Sequence, residues 1–310
     1  MAGGPTSIGV RGNASAVVAL LRPHQWLKNA VVLAPLIFGH RLLDPHAVGL
    51  ALLALIACCC LSSAGYVLND LCDAEADRLH PSKRFRPLAS GALTPREGAV
   101  VFGGATLLGL GLCAAINGGV LVLGVLYLVL QYAYSRALKR IVILDILVVA
   151  TGFVLRAYVG GIAIDVEVSQ WLVLITFLLA LFLALGRRRQ ELMTLGDAAG
   201  DHRRTLADYS PELLDQMIAP TTAATLVAYM IYSVSPDVTA RLGTRWVHLT
   251  VPFVVFGLFR YLYLVHRRHE GEDPARLLLR DRPLLVSVLL WIGTNLLLLY
   301  GPSLLRPLAH

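Results

Sequence analysis

Charge is scarce in this chain. Only 15% of its 310 residues are Asp, Glu, Lys or Arg, against 56% that are hydrophobic, and the mean hydropathy is +0.67. That balance excludes an ordinary soluble globular domain, in which roughly a quarter of residues are charged. A soluble helical bundle fails on the same ground, because most of its helices would have no polar face to turn to water. Cysteine is sparse and poorly spaced for chemistry: Cys58, Cys59, Cys60, Cys72 and Cys113 contain no C-x-x-C pair, and the first three are adjacent in an apolar run. They read as small buried apolar residues, not as zinc ligands or a disulfide framework. No Pro/Ser/Gly linker and no low-complexity stretch interrupts the sequence, so 1–310 reads as a single transmembrane domain. A signal-peptide pattern is also missing: the first apolar run, AVVALL, is cut short by RPHQW, and insertion through the chain's own helices is expected.

Hydrocarbon is what the chain has in abundance. A membrane-crossing helix takes about 20 mainly apolar residues, and candidate spans lie near 25–42, 47–69, 98–116, 119–135, 141–162, 170–186, 216–234, 246–265 and 284–301. The expected fold is therefore an all-α integral membrane protein of about nine transmembrane helices. Lys and Arg are retained on the cytoplasmic side of short loops. With the N-terminus cytoplasmic, segments 70–96, 135–140, 187–214 and 266–283 share that side and hold most of the basic residues, whereas the opposite loops and the C-terminal tail hold only Arg41, Arg241, Arg245 and Arg306. The net charge of +7 is thus a property of one face. It suits contact with anionic membrane lipid and does not call for a nucleic-acid partner.

Several polar residues fall inside the predicted spans: Lys28 and Asn29 in the first, Asp145 and Arg156 in the fifth, Arg260 in the eighth. An ionisable side chain in hydrocarbon costs several kcal/mol and usually faces a bundle interior or wet cavity, which implies a polar chamber open to the cytoplasm. For Lys28 and Arg260, near span ends, snorkelling to the interface is the alternative. Asp145 and Arg156 are about three helical turns apart and share a helix face.

Dense charge occurs in one place, NDLCDAEADRLHPSKRFRPLASG at 69–91. Asn69, Asp73 and Asp77 recur at i, i+4 and i+8, a drift of about 40° per step, so they are expected on one side of a helix. Two carboxylates and an amide oxygen make a hard-oxygen set suited to Mg²⁺, an ion that takes its remaining ligands from water and substrate phosphates. Lys83, Arg84 and Arg86 follow, in a loop stiffened by Pro81 and Pro87. Arginine offers phosphate a planar fork and lysine a point charge, so the succession suits a metal-bound diphosphate with a further anionic group. A second long polar segment, GRRRQELMTLGDAAGDHRRTLADYS, offers Arg188 and Glu191 at i, i+3, then Asp197 and Asp201 as D-x-x-x-D. The plainer alternatives are an internal ion pair for Glu191 and a wet turn for the aspartates. The segments 70–96 and 187–214 are expected to be the active-site loops, four spans apart on the same face, which hints at two related four-helix halves.

The stretch YVLNDLCDAEADRLHPSKRFRPLASG resembles the UbiA superfamily of intramembrane prenyltransferases, whose first motif is N-D-x-x-D-x-x-x-D. The likeness runs through RPHQWLKN at 22–29, the nine spans, and the polar segments after spans two and six. HPSKRFRP, RRRQEL and LRDRPL at 279–284 are most similar to the decaprenyl-phosphate phosphoribosyltransferase branch. The D-x-x-x-D at 197–201 resembles the second aspartate motif of members that use prenyl diphosphates, and leaves the branch open.

The phosphoribosyltransferase likeness implies a multi-pass enzyme of the bacterial inner membrane, with its active site facing the cytoplasm. It would transfer phosphoribosyl from 5-phosphoribosyl-1-diphosphate to a polyprenyl (decaprenyl) phosphate, for lipid-linked pentose and cell-wall polysaccharide synthesis. Asn69, Asp73 and Asp77 would hold Mg²⁺ on the sugar diphosphate, and Lys83, Arg86 and Arg188 would contact phosphate. Tyr66 and Tyr134 would meet ribose or phosphate hydroxyls, and Lys28, Asn29, Lys139 and Arg156 would line the polar chamber. Glu191 would bind ribose hydroxyls or a second metal ion, and an apolar chamber between helices would take the isoprenoid. The alternative is a UbiA-type aromatic prenyltransferase using a polyprenyl diphosphate in quinone or haem biosynthesis. Isoprenoid length, the number of metal ions and assembly as a homo-oligomer stay open.

Overall fold

The computed structural model of the chain describes residues 9–79, 83–195, 204–268, 271 and 273–305. Helices α1 (Gly9–Leu21), α2 (Ala34–Phe38), α3 (Pro45–Leu79), α4 (Pro95–Ile116), α5 (Gly118–Arg136), α6 (Leu144–Ala163) and α7 (Gln170–Leu195) follow in order. After them come α8 (Arg204–Ala207), α9 (Pro211–Val234), α10 (Pro236–Leu242), α11 (Val251–Arg267), α12 (Pro274–Arg280) and α13 (Arg282–Leu305). Among the described residues there is no strand, and eight helices are long and apolar enough to cross a membrane. The outward faces of α4 and α5 show why they need lipid: Val100, Leu107, Leu108, Val122 and Val129 are all exposed, an apolar surface water would not tolerate.

The first predicted span, 25–42, takes a different form. An 11-residue 3-10 helix, Pro23–Leu33, leads into the five-residue α2. A 3-10 helix rises about 2.0 Å per residue and an α-helix about 1.5 Å, so together they reach roughly 30 Å, the thickness of a hydrocarbon core. The irregular backbone is held inside protein. Trp26 Nε1 donates to Ser63 Oγ at 3.0 Å, Asn29 Nδ2 donates to Ser62 Oγ at 3.1 Å, and a Cβ on Gly160 of α6 would lie 2.0 Å from the Val32 carbonyl oxygen. Only glycine allows that approach, which is how non-α backbone survives at membrane depth.

Helix α3 positions the site. Its 35 residues span about 52 Å, more than the hydrocarbon core, so its last turns stand clear of the membrane. Buried Ala47, Ala51, Ala54, Ala57 and Ala64 give it a slim face that lets neighbouring helices approach closely. α4 answers with Gly109, where a Cβ would meet Leu61 at 2.6 Å. One core gathers α3 to α6 around Leu61, Cys113, Tyr127 and Val159; a second gathers the later helices around Phe182, Leu185, Leu214, Leu258 and Leu264.

Two boundaries differ from expectation. Residues 70–79 are a continuation of α3, not loop, and α7 likewise continues to Leu195. Charged residues in these turns sit at a helix end reaching water, where helix propensity and tertiary ion pairs both favour continuing. Pro81, Asp197 and Asp201 lie outside the described residues. All the cysteines are free, and Cys58, Cys59 and Cys113 are buried as expected. Cys72 corrects that reading: it is exposed, because it lies beyond the apolar part of α3.

Candidate active site

The polar end of α3 sorts its side chains into two pairs. Lys139, on the turn Leu138–Arg140 between α5 and α6, places Nζ 3.2 Å from Asn69 Oδ1 and 2.6 and 2.7 Å from the Asp73 carboxylate oxygens. Arg86 Nη1 bridges Asp70 Oδ1 at 3.1 Å and Asp77 Oδ2 at 2.6 Å. Helical rotation accounts for the split. The drift of about 40° per four residues accumulates to about 80° between Asn69 and Asp77, whereas Asp70 and Asp77, seven residues apart, differ by only about 20°. Asn69, Asp73 and Asp77 therefore span an arc of about 80°, and Asp77, at its far edge, shares Arg86 with Asp70 instead of sharing Lys139 with Asp73. Arg22, in a left-handed conformation with φ 53°, adds a two-pronged contact to Asp70 at 2.6 and 2.7 Å, and its guanidinium lies 5.5 Å from the centre of the Tyr66 ring.

At the polar end of α7 the arrangement is inverted. Arg188, buried, reaches Asp145 Oδ2 on α6 at 2.8 Å and Glu191 Oε2 one turn away at 2.5 Å. Glu191 Oε1 in turn receives Lys83 Nζ at 3.3 Å. That contact joins HPSKRFRP to RRRQEL, so the two polar segments form one site. Arg189 points the other way, to Asp215 on α9 at 2.6 and 3.2 Å. Asp215 also meets His266 Nε2 at 3.0 Å, while His266 Nδ1 faces the Leu262 carbonyl at 3.0 Å. This second cluster fastens α7, α9 and α11 together and stands apart from Glu191.

The remaining predicted residues are less uniform. Asn29 is fully buried and spends its amide donors on Ser62 Oγ and on Cys59 Sγ at 3.3 Å, which makes it a helix fastener whose Oδ1 alone stays unpartnered. Lys28 is half-buried. Arg156 is buried, donates to Tyr127 Oη at 2.7 Å, and stacks between the Tyr127 and Phe153 rings at 4.9 and 5.0 Å. A void of about 10 Å³ lies beside it, lined also by Cys58, Leu61, Tyr127 and Val159. Tyr134 is half-buried. Arg260, within the candidate span Val247–Arg267, pairs with Asp281 at 3.1 and 2.8 Å.

Asp70, Arg22, Asp145 and Tyr209 belong to the site and escape the spacing argument, although Asp70 sits inside the N-D-x-x-D motif. Tyr209 donates to Asp145 Oδ1 at 2.9 Å and accepts from the Ile143 amide at 2.7 Å. Burial pushes its phenol up to about 12, so it remains a hydrogen-bond donor throughout the physiological range. For a metal, the donor chemistry fits: the Asn69 amide oxygen and both Asp73 oxygens already converge on one cation, the Lys139 ammonium, and all are hard-oxygen ligands. Among the described residues no three His, Cys, Asp or Glu side chains gather at a metal position.

Residues 32–299 match the UbiA prenyltransferase family. A decaprenyl-phosphate phosphoribosyltransferase from Mycolicibacterium smegmatis is 32% identical over 301 residues, covering 94% of each chain. Its counterpart from Corynebacterium glutamicum is also 32% identical, over 93% of this chain and 87% of that one. Among solved structures, a UbiA homolog from Archaeoglobus fulgidus bound to GPP and Mg²⁺ aligns with a TM-score of 0.70 over 92% of this chain and 99% of that one, at 22% identity. The last likeness concerns the fold alone.

Proposed function

The chain belongs to the UbiA prenyltransferase family, and from that premise we propose that it transfers 5-phosphoribosyl from 5-phosphoribosyl-1-diphosphate to a polyprenyl phosphate such as decaprenyl phosphate, releasing diphosphate. The observation that carries this reading is the Lys83–Glu191 contact at 3.3 Å, which joins the segment carrying Lys83 and Arg86, next to the α3 carboxylates paired with Lys139, to the Arg188 end of α7. That many cations suit a reaction with three phosphate-bearing groups: the sugar's diphosphate, its 5-phosphate, and the lipid phosphate. The names of the relatives at 32% identity over most of the chain favour the sugar donor.

Asn69, Asp73 and Asp77 would hold Mg²⁺, which supplies charge neutralisation to the departing diphosphate. Lys83, Arg86 and Arg188 bind phosphate oxygens, Lys83 and Arg86 by exchanging their present carboxylate partners for the ligand and Arg188 by exchanging Glu191 while it keeps Asp145. Glu191, released from Lys83, meets ribose hydroxyls, and Tyr66 and Tyr134 present hydroxyls to the sugar or its phosphate. Lys28, Asn29, Lys139 and Arg156 line the approach. The bond from C1 to the diphosphate breaks with its electron pair leaving on oxygen, C1 takes oxocarbenium character, and a lipid phosphate oxygen bonds to C1 from the opposite face. A phosphate already anionic at neutral pH needs no general base. The basic loops favour the cytoplasmic side of a bacterial inner membrane for this chemistry, with the N-terminus inside. The D-x-x-x-D at 197–201 favours the second reading, an aromatic prenyltransferase using a polyprenyl diphosphate. Purified protein given Mg²⁺, labelled phosphoribosyl diphosphate and a polyprenyl phosphate is expected to yield labelled lipid; absence of labelled lipid overturns the proposal.

A further inference from the structure

Lys139 and Arg188 stand on different elements, yet both must be aimed at the same ligand. Both are tied to one short segment that no motif marks. Thr205, on α8 and fully buried, donates its hydroxyl to the Lys139 carbonyl at 3.4 Å. Four residues on, the Tyr209 hydroxyl accepts the Ile143 amide at 2.7 Å and donates to Asp145 Oδ1 at 2.9 Å. The other oxygen of the Asp145 carboxylate, itself fully inaccessible, holds Arg188 Nη2 at 2.8 Å. Ile143 has φ 69°, a conformation a β-branched residue adopts only when its surroundings impose it. The Tyr209 hydroxyl supplies part of that imposition.

The geometry points to Tyr209 and Asp145 as positioning residues that align the Lys139 and Arg188 cations on one diphosphate. This rests on the reading of the site as a diphosphate site. Neither residue is placed to touch substrate: Asp145 has no accessible surface and Tyr209 is 4% exposed. Each acts through another group. The Tyr209 hydroxyl fixes the linker carrying Lys139 from one side and the carboxylate carrying Arg188 from the other, so its loss should loosen both cations at once without opening the apolar core packed around its ring. Oxygen removal from a ring that keeps its packing is the mildest way to test this, and one lost hydrogen bond of ordinary strength corresponds to about a fivefold change in affinity.

The test uses the full chain in detergent with Mg²⁺ and inorganic diphosphate, the product common to both family reactions, titrated by calorimetry. Tyr209→Phe is expected to weaken diphosphate binding by about fivefold or more, and Lys139→Gln to cost less in the Tyr209→Phe background than in the wild type, because Lys139 is already misaligned. Hydrogen exchange supplies a readout that general destabilisation would not reproduce: Tyr209→Phe should quicken exchange in 138–143 while leaving α4 and α11 unchanged. Asp145→Asn, which keeps an acceptor for Tyr209 and removes the charge facing Arg188, should weaken binding without changing exchange at 138–143. Wild-type affinity in Tyr209→Phe, a Lys139→Gln penalty equal in both backgrounds, or quickened exchange throughout the bundle would overturn the inference. A wild-type protein that binds diphosphate but transfers no phosphoribosyl overturns the proposed reaction and leaves this inference standing; one that binds no diphosphate overturns both.

Discussion

The polar ends of α3 and α7 are electrostatic opposites. On α3 one helix carries the anions, Asp70, Asp73 and Asp77, and separate elements bring the cations: Arg22 from before the first span, Arg86 from the following loop, Lys139 from the α5–α6 turn. On α7 the helix carries the cations Arg188 and Arg189 with one anion of its own, Glu191, and the other anions arrive from α6 as Asp145 and from α9 as Asp215. A carboxylate-bearing helix end can exchange its ammonium and guanidinium partners for a metal ion. A guanidinium-bearing end can exchange carboxylate for phosphate. Facing each other across Lys83 and Glu191, they offer complementary halves for a metal-bound diphosphate. The difference also separates working pairs from fixed ones. Lys139, Arg86 and Lys83 sit on short turns and reach half-buried positions, whereas the Arg188–Asp145 pair lies wholly inside the bundle.

The comparison can be broken most severely on the anionic side. Asp73→Asn and Asp77→Asn are each expected to abolish measurable turnover while size-exclusion profiles in detergent stay those of the wild type; full activity in both would remove the metal-holding role of α3. On the cationic side, Arg188→Met strands the inaccessible Asp145 carboxylate. Breaking a buried pair from one side costs roughly 3–5 kcal/mol, so this variant should lose both activity and a large part of its thermal stability, a combination the α3 variants should not show. Lys139→Gln should raise the KM for the phosphorylated soluble substrate about tenfold or more with a smaller effect on stability, since its side chain is only partly buried. The smallest effect is expected at Asp215→Asn. Its carboxylate is 39% exposed, and pairs of that kind contribute about 0–1 kcal/mol, so kcat/KM should stay within about threefold of wild type. A collapse of activity there would mean that Arg189 belongs to the site after all.

Sequence made the membrane, the helix content and the charged helix end legible because all are local properties: hydropathy over a window, and spacing within ten residues. Asn69, Asp73 and Asp77 could be singled out from the i, i+4, i+8 repeat, but the same arithmetic carried over two steps turns Asp77 from Asn69 and aligns it with Asp70. Arg22 with Asp70, Lys139 with Asp73, Arg188 with Asp145 and Tyr209 with Asp145 are pairs separated by dozens of residues, and no periodicity encodes which helix end meets which. Arg156 was legible as an intramembrane charge, but its clamping between Tyr127 and Phe153 depends on how α5 and α6 pack. The first span resisted for a different reason. Its hydropathy is that of an ordinary helix, while Pro23, Pro35 and the sideways bonds of Trp26 and Asn29 favour a tighter winding that composition does not reveal.

The measurement that bears most directly on the account is a side-by-side substrate exchange with the purified full chain and Mg²⁺. One reaction receives phosphoribosyl diphosphate with a polyprenyl phosphate, and the other a polyprenyl diphosphate with an aromatic acid. The account predicts a phosphoribosylated lipid and an equal amount of released diphosphate in the first reaction, and no prenylated product in the second. Prenylated aromatic product in the second, with no phosphoribosylated lipid in the first, would contradict it.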